Sequence, residues 1–366
     1  MPRGTDSHRP WAELYSNRAG AQPAGVDIQL HRTISFHSWR CGRRRTLILF
    51  GGLLFAGSLV LTAVSLSFGL LLISFILFNP SSGSFVSLSQ ATLMDSAPDR
   101  HEQTMARWTF AGSLGVVIGP LLLGGLTLLA FGWRSVFGIL AVVTLVTLGF
   151  AWRLIPRTEK SNVKFPSPAT FWNGILMALQ TLKRTEVLRW LVLLEFSDLM
   201  LDVLYGFLAL YFVDVAGFTF PQAALAVAVW TGCGLASDFL IIPLLERIKG
   251  LDFLRFSVVA ELVLFPAFLL ASSFFLKIIL VGLLGFFHAG WYVILKANLY
   301  KTMPGQSGSV LALDNVAGMF GKTLPFIIGL VAQAYGLQFA MWLLLAGPTA
   351  LLIGLPKKQK LTQAAN

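Results

Sequence analysis

Charged side chains are scarce in this chain of 366 residues. Asp, Glu, Lys and Arg make up 12% of it, whereas soluble domains carry about 25%. Hydrophobic residues account for 55%, and they include 30 phenylalanines. Because so few charges cannot cover a water-facing surface of this size, the composition predicts an integral membrane protein.

Cysteine is scarcer still, since Cys41 and Cys233 are the only two. Two cysteines this far apart make neither a disulfide framework nor a paired metal motif. The first 38 residues contain no apolar run typical of a signal peptide. The sequence also lacks H-E-x-x-H, G-x-S-x-G and a phosphate-binding loop. We therefore predict no metal site, no cofactor and no enzymatic activity.

The net charge of +11 raises the question of a nucleic-acid partner. The basic residues, however, stand between apolar runs and do not form one patch. That distribution is typical of a protein whose partner is the lipid bilayer, and it argues against nucleic-acid binding.

Ten apolar runs are each long enough to cross a bilayer, which takes roughly 20 helical residues. They cover about 46–64, 69–94, 109–131, 133–154, 190–213, 219–244, 252–272, 275–299, 308–334 and 338–356. Basic residues concentrate before the first run, after the even-numbered runs and in the connection 155–189. The positive-inside rule then predicts that both termini and this linker lie on the cytoplasmic side of the membrane. We expect this membrane to be the inner membrane.

The linker contains apolar residues at helical spacing, namely Phe171, Ile175, Leu179 and Leu182. This pattern predicts a short helix lying on the membrane surface.

The two sides of the linker are related by an internal repeat. "QATLMDSAP" over 90–98 aligns with "KANLYKTMP" over 296–304, and Pro98 matches Pro304 at an offset of 206 residues. Pro120 and Pro325 follow at nearly the same offset. Agreement across two adjacent helices favours a duplicated fold.

The same offset predicts a partner for the 219–244 run near 13–38, yet that stretch is too polar to span a bilayer. The first half thus has four helices and the second six, and two helices are expected to be missing at the front. The sequence therefore predicts five regions, namely a polar, disordered tail 1–38, an incomplete bundle 39–154, the linker 155–189, a six-helix bundle 190–356 and a cytoplasmic tail 357–366.

Three motifs carry a family resemblance. Gly115, Gly119, Pro120 and Gly124 fit G-x-x-x-G-P-x-x-x-G. "GRRRTL", with Arg43 and Arg44, is similar to the end of a loop motif, G-x-x-x-D-R-x-G-R-R. The second half has a degenerate copy of that motif, headed by Gly234 and Asp238.

With these motifs the chain resembles the major facilitator superfamily, and the stretch 79–98 is similar to its bacterial drug-efflux members. The resemblance implies an all-α fold of two helix bundles joined by a cytoplasmic linker. It also implies a monomeric secondary transporter that works by alternating access, with a small molecule as substrate and protons as coupling ion.

Three carboxylates lie inside one apolar run. Glu195, Asp198 and Asp202 are spaced so that they share one helix face, with Asp202 about 18 Å deep. Burial and crowding of like charges favour the protonated form of at least one of them, as proton coupling requires. The alternative is that these residues only form hydrogen bonds between helices.

Other polar residues within the runs are weaker candidates. Lys296 and Asp314 lie near the same ends of adjacent spans and could form a gating pair, although such a lysine usually snorkels. Glu261 is a further candidate for the proton pathway. Asn79 and Gln90 are candidate substrate contacts, and the alternative for both is helix packing.

The motif residues are interpreted as conformational. Gly115, Gly119 and Gly124 allow helices to approach closely, and Pro120 lets its helix bend. The resemblance implies that Asp238, Arg43 and Arg44 hold the cytoplasmic side closed.

We therefore expect proton-coupled efflux of a small drug-like molecule, by an antiport mechanism. The alternative from another class is a transport-inactive relative, arising from a misplaced gene start or from decay.

Overall fold

The computed structural model describes residues 24–155, 181–321 and 323–356, and of residues 24–43, 319 and 320 it describes the backbone alone. Every regular element in these ranges is a helix. Residues before the linker form the first half of the molecule, and residues after it form the second half.

Five α-helices lie in the described part of the first half. They are α1 (Ala24–Val64), α2 (Phe68–Ser82), α3 (Leu88–Ser96), α4 (His101–Leu128) and α5 (Trp133–Leu154). Ser67 begins α2 by accepting a hydrogen bond from the Leu70 N–H at 3.3 Å. A π-helical turn, Gly83–Ser87, joins α2 to α3. Helix α1 packs against α2 and α5.

Ten α-helices lie between residues 181 and 356, residue 322 excepted. They are α6 (Thr185–Asp198), α7 (Leu204–Leu210), α8 (Phe220–Arg247), α9 (Gly250–Leu270), α10 (Phe274–His288), α11 (Trp291–Thr302), α12 (Ser307–Gly321), α13 (Thr323–Tyr335), α14 (Leu337–Leu343) and α15 (Ala346–Gly354). Two π-helical segments flank α7, so that the chain is helical from Thr185 to Val215.

Nine helices in the described ranges are long and apolar enough to cross a membrane. They are Arg44–Val64, Phe68–Ser96, Pro98–Leu128, Trp133–Leu154, Phe220–Arg247, Gly250–Leu270, Phe274–Thr302, Ser307–Tyr335 and Leu337–Gly354. The tenth predicted run, 190–213, is helical but is interrupted by π-helical segments and is not among the nine. The chain is thus an all-α polytopic membrane protein.

Helix α1 begins at Ala24, inside the region 1–38 that the sequence assigned to a disordered tail. A polar stretch without proline can continue the i→i−4 hydrogen bonds of the helix that follows, and residues 24–38 are helical in the structure. The second bundle likewise begins earlier than predicted, at Thr185. Three segments lie outside the described residues. They are residues 1–23, the predicted surface helix up to residue 180 and the tail 357–366.

Gly290 interrupts the span Phe274–Thr302 between α10 and α11. Its φ is +85°, and a Cβ there would lie 2.0 Å from Cδ1 of Ile241. Glycine alone accepts both conditions. The indole N–H of Trp291 then donates to the Ser257 hydroxyl at 2.8 Å, which fixes the start of α11.

The two halves meet where α4 packs against α8 and α11, and where α3 packs against α12. At one end of this contact lie Arg44, Arg100, Arg247, Lys249 and Lys301, and we call it the basic end.

Candidate functional site

Three carboxylates line one side of the second half, where the sequence predicted them. Glu195 and Asp198 belong to α6 and are half-buried, whereas Asp202 is exposed in the π-helical segment Leu199–Val203. Asp198 interacts electrostatically with both of the others. A π-helical turn is rare and occurs often at functional sites.

Lys296 and Asp314 bring two further charges to the same place. Lys296 on α11 is fully buried, and its ammonium forms an ion pair with the Asp314 carboxylate on α12, which is 29% exposed. Both residues interact electrostatically with Glu195 and Asp198. We call Glu195, Asp198, Asp202, Lys296 and Asp314 the acidic cluster.

Gly321 supports one member of the acidic cluster. A Cβ at Gly321 would lie 1.4 Å from Oε2 of Glu195. The carboxylate of Glu195 therefore occupies the space that any side chain at position 321 would need. Sequence reasoning missed Gly321, because nothing in the spacing of α12 indicates which residue of α6 faces it.

The acidic cluster carries four carboxylates against one ammonium. Like charges that crowd together at a partly buried site disfavour one another's ionised form, so that the excess negative charge needs protons or cationic groups to offset it. Chemically, the cluster can hold protons and accept hydrogen bonds from a bound molecule. Asp202 is the one member of the acidic cluster whose side chain is exposed at the protein surface.

Arg44, Asp95 and Ser307 connect the two halves at the basic end. Arg44 on α1 forms an ion pair with Asp95 on α3. Its Nη2 also donates to the Ser307 hydroxyl at 2.7 Å, and that hydroxyl donates to Oδ2 of Asp95 at 2.6 Å. Since Ser307 begins α12, these bonds cross from the first half to the second. We call the three residues the Arg44 clamp.

More contacts close the basic end around the Arg44 clamp. Lys301 forms an ion pair with Glu102, and Nε2 of Gln103 donates to the Leu245 carbonyl at 3.0 Å. Deeper in the membrane, the Ser113 hydroxyl of α4 donates to the buried carboxylate of Asp238 on α8. The backbone of Arg43 lies in α1, and its side chain is outside the described set.

Asp95 and Lys301 were missed from the sequence, although a signal was present. They occupy equivalent positions in the two copies of the repeat, at the offset of 206 residues. Each is half of an ion pair at the basic end. Opposite charges at matched positions of the repeat can be interpreted as members of ion pairs only when the contacts between the two halves are known.

Three predicted site residues are not brought into the acidic cluster. Gln90 is buried, and its Nε2 donates to Sδ of Met105 at 3.6 Å within the first half. Asn79 is exposed on α2. Glu261 is fully buried in α9, and neither of its oxygens has a hydrogen-bond partner among the described residues.

The glycine motif of α4 does not have the predicted close packing. A Cβ at Gly115, Gly119 or Gly124 would meet no described atom within 4 Å, because no described helix packs that closely against this face. Pro120 lies inside α4, which continues through it. Close helix contacts of the described residues lie elsewhere, for example at Gly285, where a Cβ would lie 2.5 Å from the Trp230 carbonyl oxygen.

Comparison with known proteins identifies the fold and the family. The model of the Major Facilitator Superfamily matches residues 35–324. A relative from Helicobacter pylori (strain G27), named "Probable sugar efflux transporter", is 26% identical over 82% of this chain and 78% of its own length.

Solved structures agree with the sequence match. The E. coli fucose:proton symporter FucP has a TM-score of 0.68 at 16% identity, covering 87% of this chain and 85% of its own. The human organic anion transporter MFSD10 has a TM-score of 0.63 at 21% identity, covering 87% and 80%. The resemblance inferred from the motifs is confirmed: this chain belongs to the Major Facilitator Superfamily.

Proposed function

We propose that this protein is a proton-coupled secondary transporter that exports a small molecule across the inner membrane. The observation that carries the proposal is the acidic cluster, where α6, the π-helical segment Leu199–Val203, α11 and α12 bring four carboxylates and one lysine together. Ionisable groups within a membrane are costly and mark substrate or proton pathways in transporters.

Asp198 is the proposed proton carrier. It interacts electrostatically with every other member of the acidic cluster, namely Asp202, Glu195, Asp314 and Lys296. Its charge state therefore depends on what the rest of the cluster holds. Asp202, which is exposed, is the proposed first contact for the substrate.

The direction of access follows from the closed basic end. The positive-inside rule supports a cytoplasmic position for this end and for both termini. The Arg44 clamp and the Lys301–Glu102 pair then close the cytoplasmic side. In this state the acidic cluster exchanges protons with the opposite side, and export requires the basic end to open in turn.

A sugar-class molecule is the proposed substrate. The Helicobacter pylori relative is named as a sugar efflux transporter, and carboxylates are strong acceptors for the hydroxyl groups of such a molecule. The drug-like substrate expected from the sequence resemblance is the second candidate. The low identity of the relatives leaves both for experiment.

The test uses purified protein in liposomes with an acidic interior. Labelled mono- and disaccharides and a fluorescent amphipathic cation are offered outside, and antiport predicts that one class accumulates as protons leave. Abolishing the pH gradient with an ionophore should abolish accumulation. If the folded protein moves none of them in either direction, the transport-inactive alternative replaces the proposal.

A further inference from the structure

A tyrosine near the acidic cluster and the Arg44 clamp is buried without a hydrogen-bond partner among the described residues. Tyr300 lies on α11, one turn beyond Lys296, and 2% of its surface is exposed. Its hydroxyl makes no hydrogen bond with any described residue. It lies within electrostatic range of Asp314 in the acidic cluster and of Asp95 and Arg44 in the Arg44 clamp.

The ring of Tyr300 is part of the contact between the two halves. It stacks on the imidazole of His101 at the start of α4, with 6.3 Å between ring centroids and 9° between the planes. Asp95 and Arg44 also belong to the first half. Separation of the halves at the basic end therefore uncovers Tyr300.

The unpartnered hydroxyl destabilises the closed state. A buried polar group without a partner is less stable than the same group in water, because it has lost its bonds to water and gained none in return. When the basic end opens, water reaches the hydroxyl and supplies the missing bond. The apolar ring is more stable when it is buried. The ring therefore favours the closed state, whereas the hydroxyl favours the open state.

We propose that Tyr300 is a positioning residue that keeps the basic end able to open, because its hydroxyl opposes the bonds of the Arg44 clamp. This role rests on the proposed transport cycle, in which the basic end must open. The conformational balance itself can be measured without substrate, so that the two ideas are tested separately.

The experiment measures how often the basic end opens. Ala106 on α4 is fully buried in the apolar cluster that α4 shares with the second half, and a cysteine there reacts with a thiol reagent only when the halves separate. Ala106→Cys is placed in a chain with Cys41→Ser and Cys233→Ser. The labelling rate then follows the open population even when that population is small.

Tyr300→Phe removes the hydroxyl and keeps the ring that stacks on His101. We expect the labelling rate to fall about fivefold or more, as the cost of the unpartnered group predicts. The same fold-change should appear when Ser307→Ala has loosened the Arg44 clamp. Tyr335→Phe, at an exposed tyrosine, is the matched control and should leave the rate unchanged.

An unchanged or faster rate in Tyr300→Phe would overturn the proposal. An unchanged rate would mean that the hydroxyl already has a partner in the closed state, such as a trapped water. A faster rate would mean that the hydroxyl stabilises the closed state. Loss of transport with a slower labelling rate supports the role, whereas a parent protein that opens but transports nothing counts only against the proposed function.

Discussion

Lys296 and Asp314 form an ion pair in which the lysine is fully buried and the aspartate is 29% exposed. This asymmetry makes Lys296 the fixed member of the acidic cluster and Asp314 the adjustable one. In the proposed function, protons reach the partly exposed carboxylates, while the ammonium of Lys296 stays buried.

Removing Lys296 should destabilise the protein more than removing a surface lysine. Lys296→Met leaves the four carboxylates of the acidic cluster without their ammonium partner, and loss of one partner of a buried pair costs about 3–5 kcal/mol, less where the other partner is partly exposed. Thermal unfolding in detergent should show a lowered midpoint. Lys301→Met, whose ion-paired side chain is 44% exposed, is the control and should change the midpoint little.

The double variant Lys296→Met, Asp314→Asn should recover part of that loss, because it removes the uncompensated charge together with its partner. If the two losses simply add, Asp314 is not the functional partner of Lys296.

Gly321→Ala should disturb the acidic cluster without changing any charge. The added methyl group would lie 1.4 Å from Oε2 of Glu195, so that this carboxylate must move. Overpacking of this kind costs about 1–3 kcal/mol, and we expect the initial rate of transport to fall. Gly318→Ala on the same helix, where an added Cβ meets nothing within 4 Å, should transport normally. If Gly321→Ala and Gly318→Ala transport at equal rates, Glu195 does not take part in transport.

Gly290→Ala should be more harmful than Gly217→Ala, although both glycines have positive φ. Left-handed backbone costs a non-glycine residue about 1–2 kcal/mol at either position. At Gly290 the methyl group also meets Cδ1 of Ile241 at 2.0 Å, whereas at Gly217 it meets nothing within 4 Å. The midpoints of thermal unfolding of the two variants should differ by the contribution of the steric clash, because the backbone strain is common to both. Equal midpoints would argue against the tight packing at the α10–α11 break.

Arg44→Ala should open the basic end, the opposite of the effect expected for Tyr300→Phe. It removes the ion pair to Asp95 and the bond to Ser307, so that thiol labelling of Ala106→Cys should become faster. Arg45→Ala is the matched control, since Arg45 donates to the Trp152 carbonyl within the first half at 2.8 Å. If both arginine variants label at the parent rate, the Arg44 clamp does not hold the halves together.

Much of the fold could be predicted from the sequence. Long apolar runs define spans by length alone, and the repeat offset relates the two halves. The start of α1 at Ala24 could not be predicted from hydropathy. Hydropathy identifies the segment that is buried in lipid, but it does not show whether the helix continues into the polar residues before that segment. The contribution of Gly321 and the partner of Asp95 depend on how helices face one another across the bundle, which no local spacing encodes.

The site was predicted in part. Glu195, Asp198 and Asp202 could be grouped from their helical spacing, and Lys296 could be paired with Asp314 from their depth. Their union into one cluster required the packing of α6 against α11 and α12. Gln90 was assigned to the substrate because it is polar within an apolar run, yet it bonds to Met105 inside its own half.

The most direct test of proton coupling compares two modes of transport in Asp198→Asn. The variant in liposomes should still exchange labelled for unlabelled substrate, since exchange moves no net protons, but should lose accumulation driven by a pH gradient. Asp214→Asn, at an exposed aspartate of the neighbouring π-helical segment, should keep both modes. Gradient-driven accumulation at the parent rate in Asp198→Asn would contradict the account.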